Sequence, residues 1–374
     1  MITDGIGLYI HVPFCKSKCR YCDFASFPCL SDEVRSEYIS ALMTEIESYK
    51  REPKIRVSTV FFGGGTPSLL SVCDMERLLS LARECFDISP DAEITVEANP
   101  KTTDEEKLSA YFSLGINRLS IGLQSIHENE QKILGRIHNF DDFLETYKTA
   151  RKVGFSNISV DLMYAIPEQT TSSLKKTLDE VIALSPEHIS VYGLIIEEGT
   201  PFFDMRDSLP LPDEDTELLM YGIIRDKLSL AGYSHYEISN YARAGFECRH
   251  NLKYWRDEEY IGVGLAAYSY FDGVRYGNVR DMKKYVLTPC DAKADSEKIS
   301  KDDEAYEYAM MHLRLADGFS LLEYRARFGV DFLSERSEKI KVYESRGLLR
   351  VENDRISLTE DGFYLSNSIM ADII

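Results

Sequence analysis

The sequence predicts an α/β protein: a partial TIM-type (β/α)6 barrel with a small winged-helix-like α+β domain at the C-terminal end. Three observations predict it. From residue 6 to about 195, six short β-branched runs alternate with stretches of helical period. The residues least suited to a packed core fall at the ends of those runs, where barrels of this kind carry their sites. Residues 304–374 read as three helices and then a hairpin turning at Asn353-Asp354.

The six runs are GLYIHV (7–12), VSTVFF (57–62), EITVEA (93–98), NRLSIG (117–122), ISVDLM (158–163) and HISVYGLII (188–196). Between them, Ile39, Leu42, Ile46 and Tyr49, then Met75, Leu78, Leu79 and Ala82, then Leu174, Leu178, Val181 and Ile182 keep a 3.6-residue stripe. A βα repeat of this kind makes a parallel sheet rolled into a full or partial barrel. Cys15, Cys19 and Cys22 follow the first run, Gly63 to Pro67 follows the second, Glu97 ends the third, Gln124 follows the fourth and Asp161 lies on the fifth. An open doubly wound sheet would also bind ligands at its strand ends, so this placement marks a site under either topology.

The expected division is a barrel core over 1–232, an aromatic, loop-rich extension over 233–290, a linker over 291–303 and the winged-helix-like unit over 304–374. A helix is expected from Asp215 to Ala231, opening on the acidic DEDTE. The linker is read from DAKADSEKISKDDE, which is charged and poor in apolar residues.

Composition narrows the function classes. The chain has 374 residues and a formal net charge of −19, with 43 basic and 62 acidic residues, which opposes nucleic acid. The C-terminal unit shares that balance, with nine basic against thirteen acidic residues, which favours packing or partner docking over DNA. No apolar run is long enough to span a membrane, and the N-terminus lacks the pattern of a secretory signal, so a cytoplasmic location is expected. There thiols stay reduced, and eight cysteines are more readily metal ligands or buried side chains than disulfides.

The stretch HVPFCKSKCRYCDF places three of them within eight positions. Three thiolates complete neither a tetrahedral zinc site nor a four-cysteine iron-sulfur cluster. A cubane held by three leaves one iron open for a ligand. Cys73, Cys85 and Cys290 show no pairing pattern.

CKSKCRYC matches the C-x-x-x-C-x-x-C signature of the radical S-adenosylmethionine (SAM) superfamily, and FFGGGTPSLL resembles its glycine-rich loop. YIHVPFC, VEANP, RLSIGLQS and DLMYAIPEQT extend the likeness to its oxygen-independent coproporphyrinogen oxidase group, over about residues 7 to 270. The resemblance implies a [4Fe-4S] cluster on Cys15, Cys19 and Cys22 whose open iron is chelated by SAM. It also implies an electron donor for the cluster, whose reduction cleaves SAM to a 5′-deoxyadenosyl radical. Carried over by position, Tyr9 and Tyr21 flank the cluster, and Gly64, Gly65 and Thr66 approach the methionine amino group. Glu97, Gln124, Arg136 and Asp161 line the SAM pocket. Elementary chemistry agrees: glycines let backbone carbonyls reach an ammonium group, carboxylates take its donors, and an arginine takes its carboxylate.

Two functions compete within the group, oxidative decarboxylation of coproporphyrinogen and haem delivery by HemW-type haem chaperones. The decarboxylases usually carry a further cysteine two residues after the third ligand and an N-terminal extension. Here Phe24 holds that position, the first run begins almost at once, and the spacing of Cys29 does not match. HNLKYW matches the H-N-x-x-Y-W motif associated with haem binding in the chaperone branch, which implies His250, Asn251, Tyr254 and Trp255 as haem contacts. The stretch 243–256 carries a net +3, the kind of local patch that two propionates need. The competing reading makes Trp255 a core anchor and His250 a hydrogen-bonding partner of nearby groups, with Cys248 a rival ligand. Haem and haem-accepting proteins, respiratory ones among them, are the expected partners.

Overall fold

The computed structural model describes residues 5–28, 30–334 and 336–374, so Cys29 lies outside the described residues. Six parallel strands form the barrel wall: β1 (Ile6–Val12), β2 (Arg56–Gly64), β3 (Asp87–Ala98), β4 (Arg118–Gln124), β5 (Ile158–Tyr164) and β6 (His188–Gly193). They pair in chain order, as successive right-handed βα units require. The six predicted runs all become strands, although β6 stops at Gly193 rather than at 196.

The helices between them are α1 (Asp32–Ser48), α2 (Val72–Cys85), α3 (Glu105–Ser113), α4 (Glu128–Leu134), α5 (Phe140–Val153) and α6 (Thr171–Leu184). Their starts are written locally. Ser31, Ser71, Asp104, Asn139 and Thr170 each cap a helix by accepting from a first-turn N–H. The three apolar stripes turn inward, with Leu42, Leu78, Leu79, Leu174 and Leu178 fully buried against the strands.

The region expected to be loop-rich is instead ordered around both edges of the sheet. After α7 (Pro201–Met205) and α8 (Glu214–Leu230, capped by Asp213), β7 (Ser234–Glu237) and β8 (Asn240–Ala242) extend the β6 edge antiparallel. Helix α9 (Arg249–Trp255) carries HNLKYW. β9 (Tyr260–Val263) then pairs parallel with β1 as a seventh strand, and β10 (Tyr268–Phe271) and β11 (Val274–Asn278) continue antiparallel. Short α10 (Met282–Leu287) precedes β12 (Lys293–Lys298) at the outer edge of this twelve-stranded sheet.

The expected linker over 291–303 instead holds the strand β12 and the start of the following helix at Lys301. All six residues of β12 are exposed, so an edge strand with no core-facing side needs no apolar residues, and its composition imitates a tether. The C-terminal unit matches expectation: α11 (Lys301–His312), β13 (Phe319–Ser320), α12 (Leu321–Phe328), α13 (Ser337–Ser345) and the hairpin β14 (Leu349–Glu352) to β15 (Arg355–Leu358). Asn353 and Asp354 have φ of 49° and 66°, the backbone of a type I′ turn. Two short helices not expected from the sequence, α14 (Glu360–Tyr364) and α15 (Ser366–Ile373), close the chain. Among the described residues no helix is long and apolar enough to cross a membrane.

Candidate functional site at the strand ends

The C-terminal ends of the strands enclose a cavity of about 380 Å³ lined by Cys15, Cys19, Cys22, Tyr21, Gly64, Gly65, Thr66, Glu97, Gln124, Arg136 and Asp161. Eleven of the twelve residues expected around the cluster and SAM meet there. The twelfth is Tyr9.

The cysteine loop leaves β1 through Pro13. It is pinned where the Phe27 N–H donates to the Pro13 carbonyl at 2.8 Å and where Phe14–Cys15 pairs with Phe27–Pro28. Phe14 is buried, edge-on to Tyr38 at 5.5 Å, which fixes the root of the loop. All three thiols are free. Among the described residues no three His, Cys, Asp or Glu side chains converge tightly enough for a single ion, so these thiols are spread around a space rather than gathered on a point. Burial pushes the Cys15 and Cys22 thiols up, which makes a cationic partner necessary for both to ionise.

The glycine loop admits no side chain. Gly64 has φ of 112°, and a Cβ there would lie 2.5 Å from the His11 ring. A Cβ on Gly65 would meet the Phe14 carbonyl oxygen at 2.7 Å. The Gly64 N–H donates to Glu97 at 3.0 Å, and Thr66 lies 3.8 Å from the Cys15 sulfur. The cradle and the cluster loop are thus one packed unit.

Glu97 and Asp161 face the same cavity. Burial, with the Asp161 charge added, lifts Glu97 to about 8, against the Gly64 N–H and the Arg118 charge. Asp161 is also raised by burial, even though Ser120 donates to both its oxygens at 2.9 and 3.0 Å. Two buried carboxyls that disfavour each other's charge are a receptor for hydroxyl and ammonium donors. Arg136 spans the other wall, donating to Asn99 at 2.9 Å and to the Gly122 carbonyl at 2.5 Å, with its other nitrogen 3.9 Å from the Cys19 sulfur. Gln124 holds φ of 68°, a left-handed conformation rare for a residue with a side chain and concentrated at functional sites. Three free thiols, a glycine cradle, paired carboxyls and an arginine are a donor set that fits a three-cysteine cluster and SAM.

Asn99 was missed. It donates to Thr66 at 2.9 Å and accepts from Arg136, so it ties the cradle to the arginine. Its position two residues after Glu97 in VEANP was the available signal. The sequence also gave no hint that Tyr21 sits against Leu134 and Met163 in a small separate apolar cluster.

Tyr9 stands elsewhere. Its hydroxyl meets His11 Nδ1 at 2.9 Å, and it walls a second cavity of about 310 Å³ together with Tyr254, Tyr260, Tyr268 and Arg280. Side chains alternate along β1, so a strand-end motif does not say which of two adjoining spaces each residue faces.

HNLKYW lies at the opposite end of the barrel. The Glu93 carboxylate caps α9, accepting from the N–H groups of Arg249 and His250 at 3.2 and 3.1 Å. His250 is 1% exposed, with Nδ1 2.8 Å from Thr59 Oγ1 and Nε2 2.8 Å from the Tyr254 hydroxyl. Burial lowers it to about 3, so it is neutral. Cys248 is fully buried beside Glu93. Asn251 and Trp255 are half-buried, and the Arg314 guanidinium covers the Trp255 ring at 5.5 Å, joining α9 to the C-terminal unit. The +3 stretch is not one patch: Lys253 is buried against Glu258, Arg249 donates to the Asp91 carbonyl, and Arg243 lies over Tyr233. The anchoring reading of His250 and Trp255 therefore describes their contacts.

Comparison with known proteins agrees with this layout. Residues 9–181 match the radical SAM superfamily, and residues 299–365 match the HemN C-terminal domain. The chain is 35% identical to the Heme chaperone HemW of Lactococcus lactis over 372 residues, covering 99% of this chain and 97% of that protein. The HemW proteins of Bacillus subtilis and Escherichia coli are 34% and 35% identical, over 96% and 98% of this chain and 97% of each of theirs. Among solved structures, the coproporphyrinogen III oxidase HemN of Escherichia coli, a radical SAM enzyme, superposes with a TM-score of 0.87. It is 25% identical and covers 99% of this chain and 90% of its own. The three-cysteine loop, the glycine cradle and a likeness running nearly end to end lead to one conclusion: the chain belongs to the radical SAM superfamily, in its family of HemW proteins.

Proposed function

We propose that this protein is a haem chaperone that carries a [4Fe-4S] cluster on Cys15, Cys19 and Cys22, binds SAM beside it and passes haem to acceptor proteins in the cytoplasm. The observation that carries the reading is the near full-length likeness to proteins named haem chaperones, at 34–35% identity. Phe24 supports it. Where the decarboxylases usually have a further cysteine, this chain exposes 62% of a phenylalanine, at the shared mouth of both cavities.

The cluster, reduced by an external electron donor, supplies one-electron chemistry at SAM when both are bound. The chain's own residues do the positioning. Gly64, Gly65 and Thr66 take the methionine amino group, Arg136 its carboxylate, Glu97 and Asp161 the remaining donors, and Tyr21 and Gln124 close the wall. Phe24, Ile137 and Ile195, each more than half exposed, form an apolar rim around the opening, where an apolar cargo or partner can settle.

The second reading is an oxygen-independent coproporphyrinogen III oxidase, favoured by the superposition on HemN. Anaerobic incubation with coproporphyrinogen III, SAM and a reductant separates the two. No protoporphyrinogen is expected, together with transfer of bound haem to an apo-cytochrome; steady decarboxylation would hand the function to the enzyme.

A further inference from the structure

We propose that His188, buried in the barrel below the site, is a positioning residue for SAM binding: acting through Ser159, it keeps Asp161, rather than its neighbour Glu97, as the charged acceptor of the pair. This rests on the SAM reading above and says how that site tells its two carboxyls apart.

The barrel interior is polar here, where barrels of this kind are usually packed with branched apolar side chains. Alternation puts Ser159 and Asp161 on one face of β5, and the register sets His188 and Ser190 of β6 opposite them. Ser159, His188 and Ser190 are all buried. A run of short contacts crosses this interior. The Cys248 N–H donates to the Tyr236 oxygen at 3.2 Å, and that oxygen lies 2.8 Å from His188 Nε2. His188 Nδ1 lies 2.8 Å from Ser159 Oγ, and Ser159 donates to Asp161 at 3.2 Å.

The two ends fix the direction of every link. A backbone N–H only donates, and a carboxylate only accepts. Ser159 spends its hydrogen on Asp161, so it takes one from Nδ1–H of His188. Nε2 is then bare and takes the hydrogen of Tyr236, whose oxygen takes that of Cys248. His188 is therefore the Nδ1–H tautomer, the less common form of a free histidine side chain. Burial and the Arg118 charge both push it well below its ordinary value, so it stays neutral.

The consequence falls on the carboxyl pair. Ser120 donates to both oxygens of Asp161 and Ser159 adds a third bond, whereas among the described residues Glu97 accepts one, from the Gly64 N–H. Hydrogen bonds to the charged form favour it, so of two carboxyls that oppose each other's charge Asp161 ionises first. Glu97, lifted to about 8, keeps its proton. Asp161 is left to accept from a ligand hydroxyl, while Glu97 can donate as well as accept. Arg118 favours the charged form of both carboxyls and does not separate them. Arg136 and the Tyr192 phenol also face Asp161, with no hydrogen bond to it among the described residues. Without a donor at Nδ1, Ser159 is free to turn its hydroxyl toward Ser190, 3.4 Å away, and Asp161 loses a bond.

The test compares SAM affinity of the full-length, cluster-loaded wild type, His188→Leu and His188→Asn by calorimetry across neutral and mildly acid pH. The titration of SAM itself is common to all three and cancels. Leucine removes the donor, so the acid-side loss of affinity should move up by about one pH unit, the worth of one hydrogen bond to a charge. Asparagine carries an N–H where Nδ1 stands and should restore the wild-type profile. Long-range proton–nitrogen correlation spectra of the histidine-labelled wild type, without SAM, should show His188 protonated at Nδ1 and bare at Nε2. Protonation at Nε2, or a leucine variant whose pH profile overlays that of the wild type, would overturn the inference; the spectrum needs no variant, so it decides even where His188→Leu fails to fold. A wild type that takes up no SAM would overturn the SAM reading instead, and the spectrum would still read the direction of the chain.

Discussion

The two ends of the barrel make an instructive pair. At the strand C-termini, the motif residues stand around open space: three free thiols, and two buried carboxyls that accept from the Gly64 N–H and the Ser120 hydroxyl. At the floor, the motif residues of α9 are as closely spaced, but the helix N-terminus, both nitrogens of His250 and the ammonium of Lys253 are all satisfied by neighbours. A cluster of chemically capable side chains is a ligand site only where its capacity is unspent. That contrast separates residues that hold a ligand from residues that hold a wall.

The largest effect expected from this contrast is on metal content. Cys19→Ala should drop the reconstituted protein well below about four irons per chain, and His250→Gln should leave iron content unchanged. A full cluster in Cys19→Ala would erase the distinction between the two ends. Next comes SAM affinity. Removing a charged, hydrogen-bonded partner costs about 2–4 kcal/mol, so Arg136→Ala and Asp161→Asn should each weaken SAM binding by one to three orders of magnitude in calorimetry. His250→Gln should be neutral there.

The two ends should also titrate in opposite senses. Glu97 is raised from 4.5 to about 8, so the folded protein holds a proton that the unfolded chain releases, and stability falls as pH climbs through that window. His250 is lowered from 6.5 to about 3, so the unfolded chain takes up the proton first, and stability falls as pH drops below 6.5. Thermal unfolding of the ligand-free protein should therefore lose its decline between pH 4.5 and about 8 in Glu97→Gln and part of its decline below pH 6.5 in His250→Gln. Identical profiles in both variants would show that neither group is buried as described. The smallest effect belongs to the seam behind the floor: Arg314→Ala removes the cation over Trp255 and should cost about 0.5–2 kcal/mol, read as a drop in Tm of a few degrees.

Much of this was legible before any coordinates. Six strands and their helices followed from periodicity and capping because burial on both faces of a parallel sheet leaves a strong apolar pattern. The cysteine loop and the glycine cradle were legible because few other structures need three thiols in eight positions or glycines where a Cβ would strike His11 and Phe14. Other features were hidden for physical reasons. An edge strand such as β12 buries nothing, so its charges read as a tether. Tyr9 lines the adjoining second cavity, a placement that the motif leaves open because it fixes the strand but not the facing side. The role of His250 depended on Thr59 and Glu93, which are distant in sequence, and spacing within HNLKYW says nothing about them. Asn99 escaped notice because its importance lies in bridging Thr66 to Arg136, a relation that only the closed barrel creates.

The central claim is that the open end of the barrel holds a cluster with one iron left for SAM. Electron paramagnetic resonance of the reduced, anaerobically reconstituted protein tests it most directly. A [4Fe-4S]+ signal whose g-values shift when SAM is added is the predicted result; a signal indifferent to SAM, or a protein that retains only zinc, would contradict it.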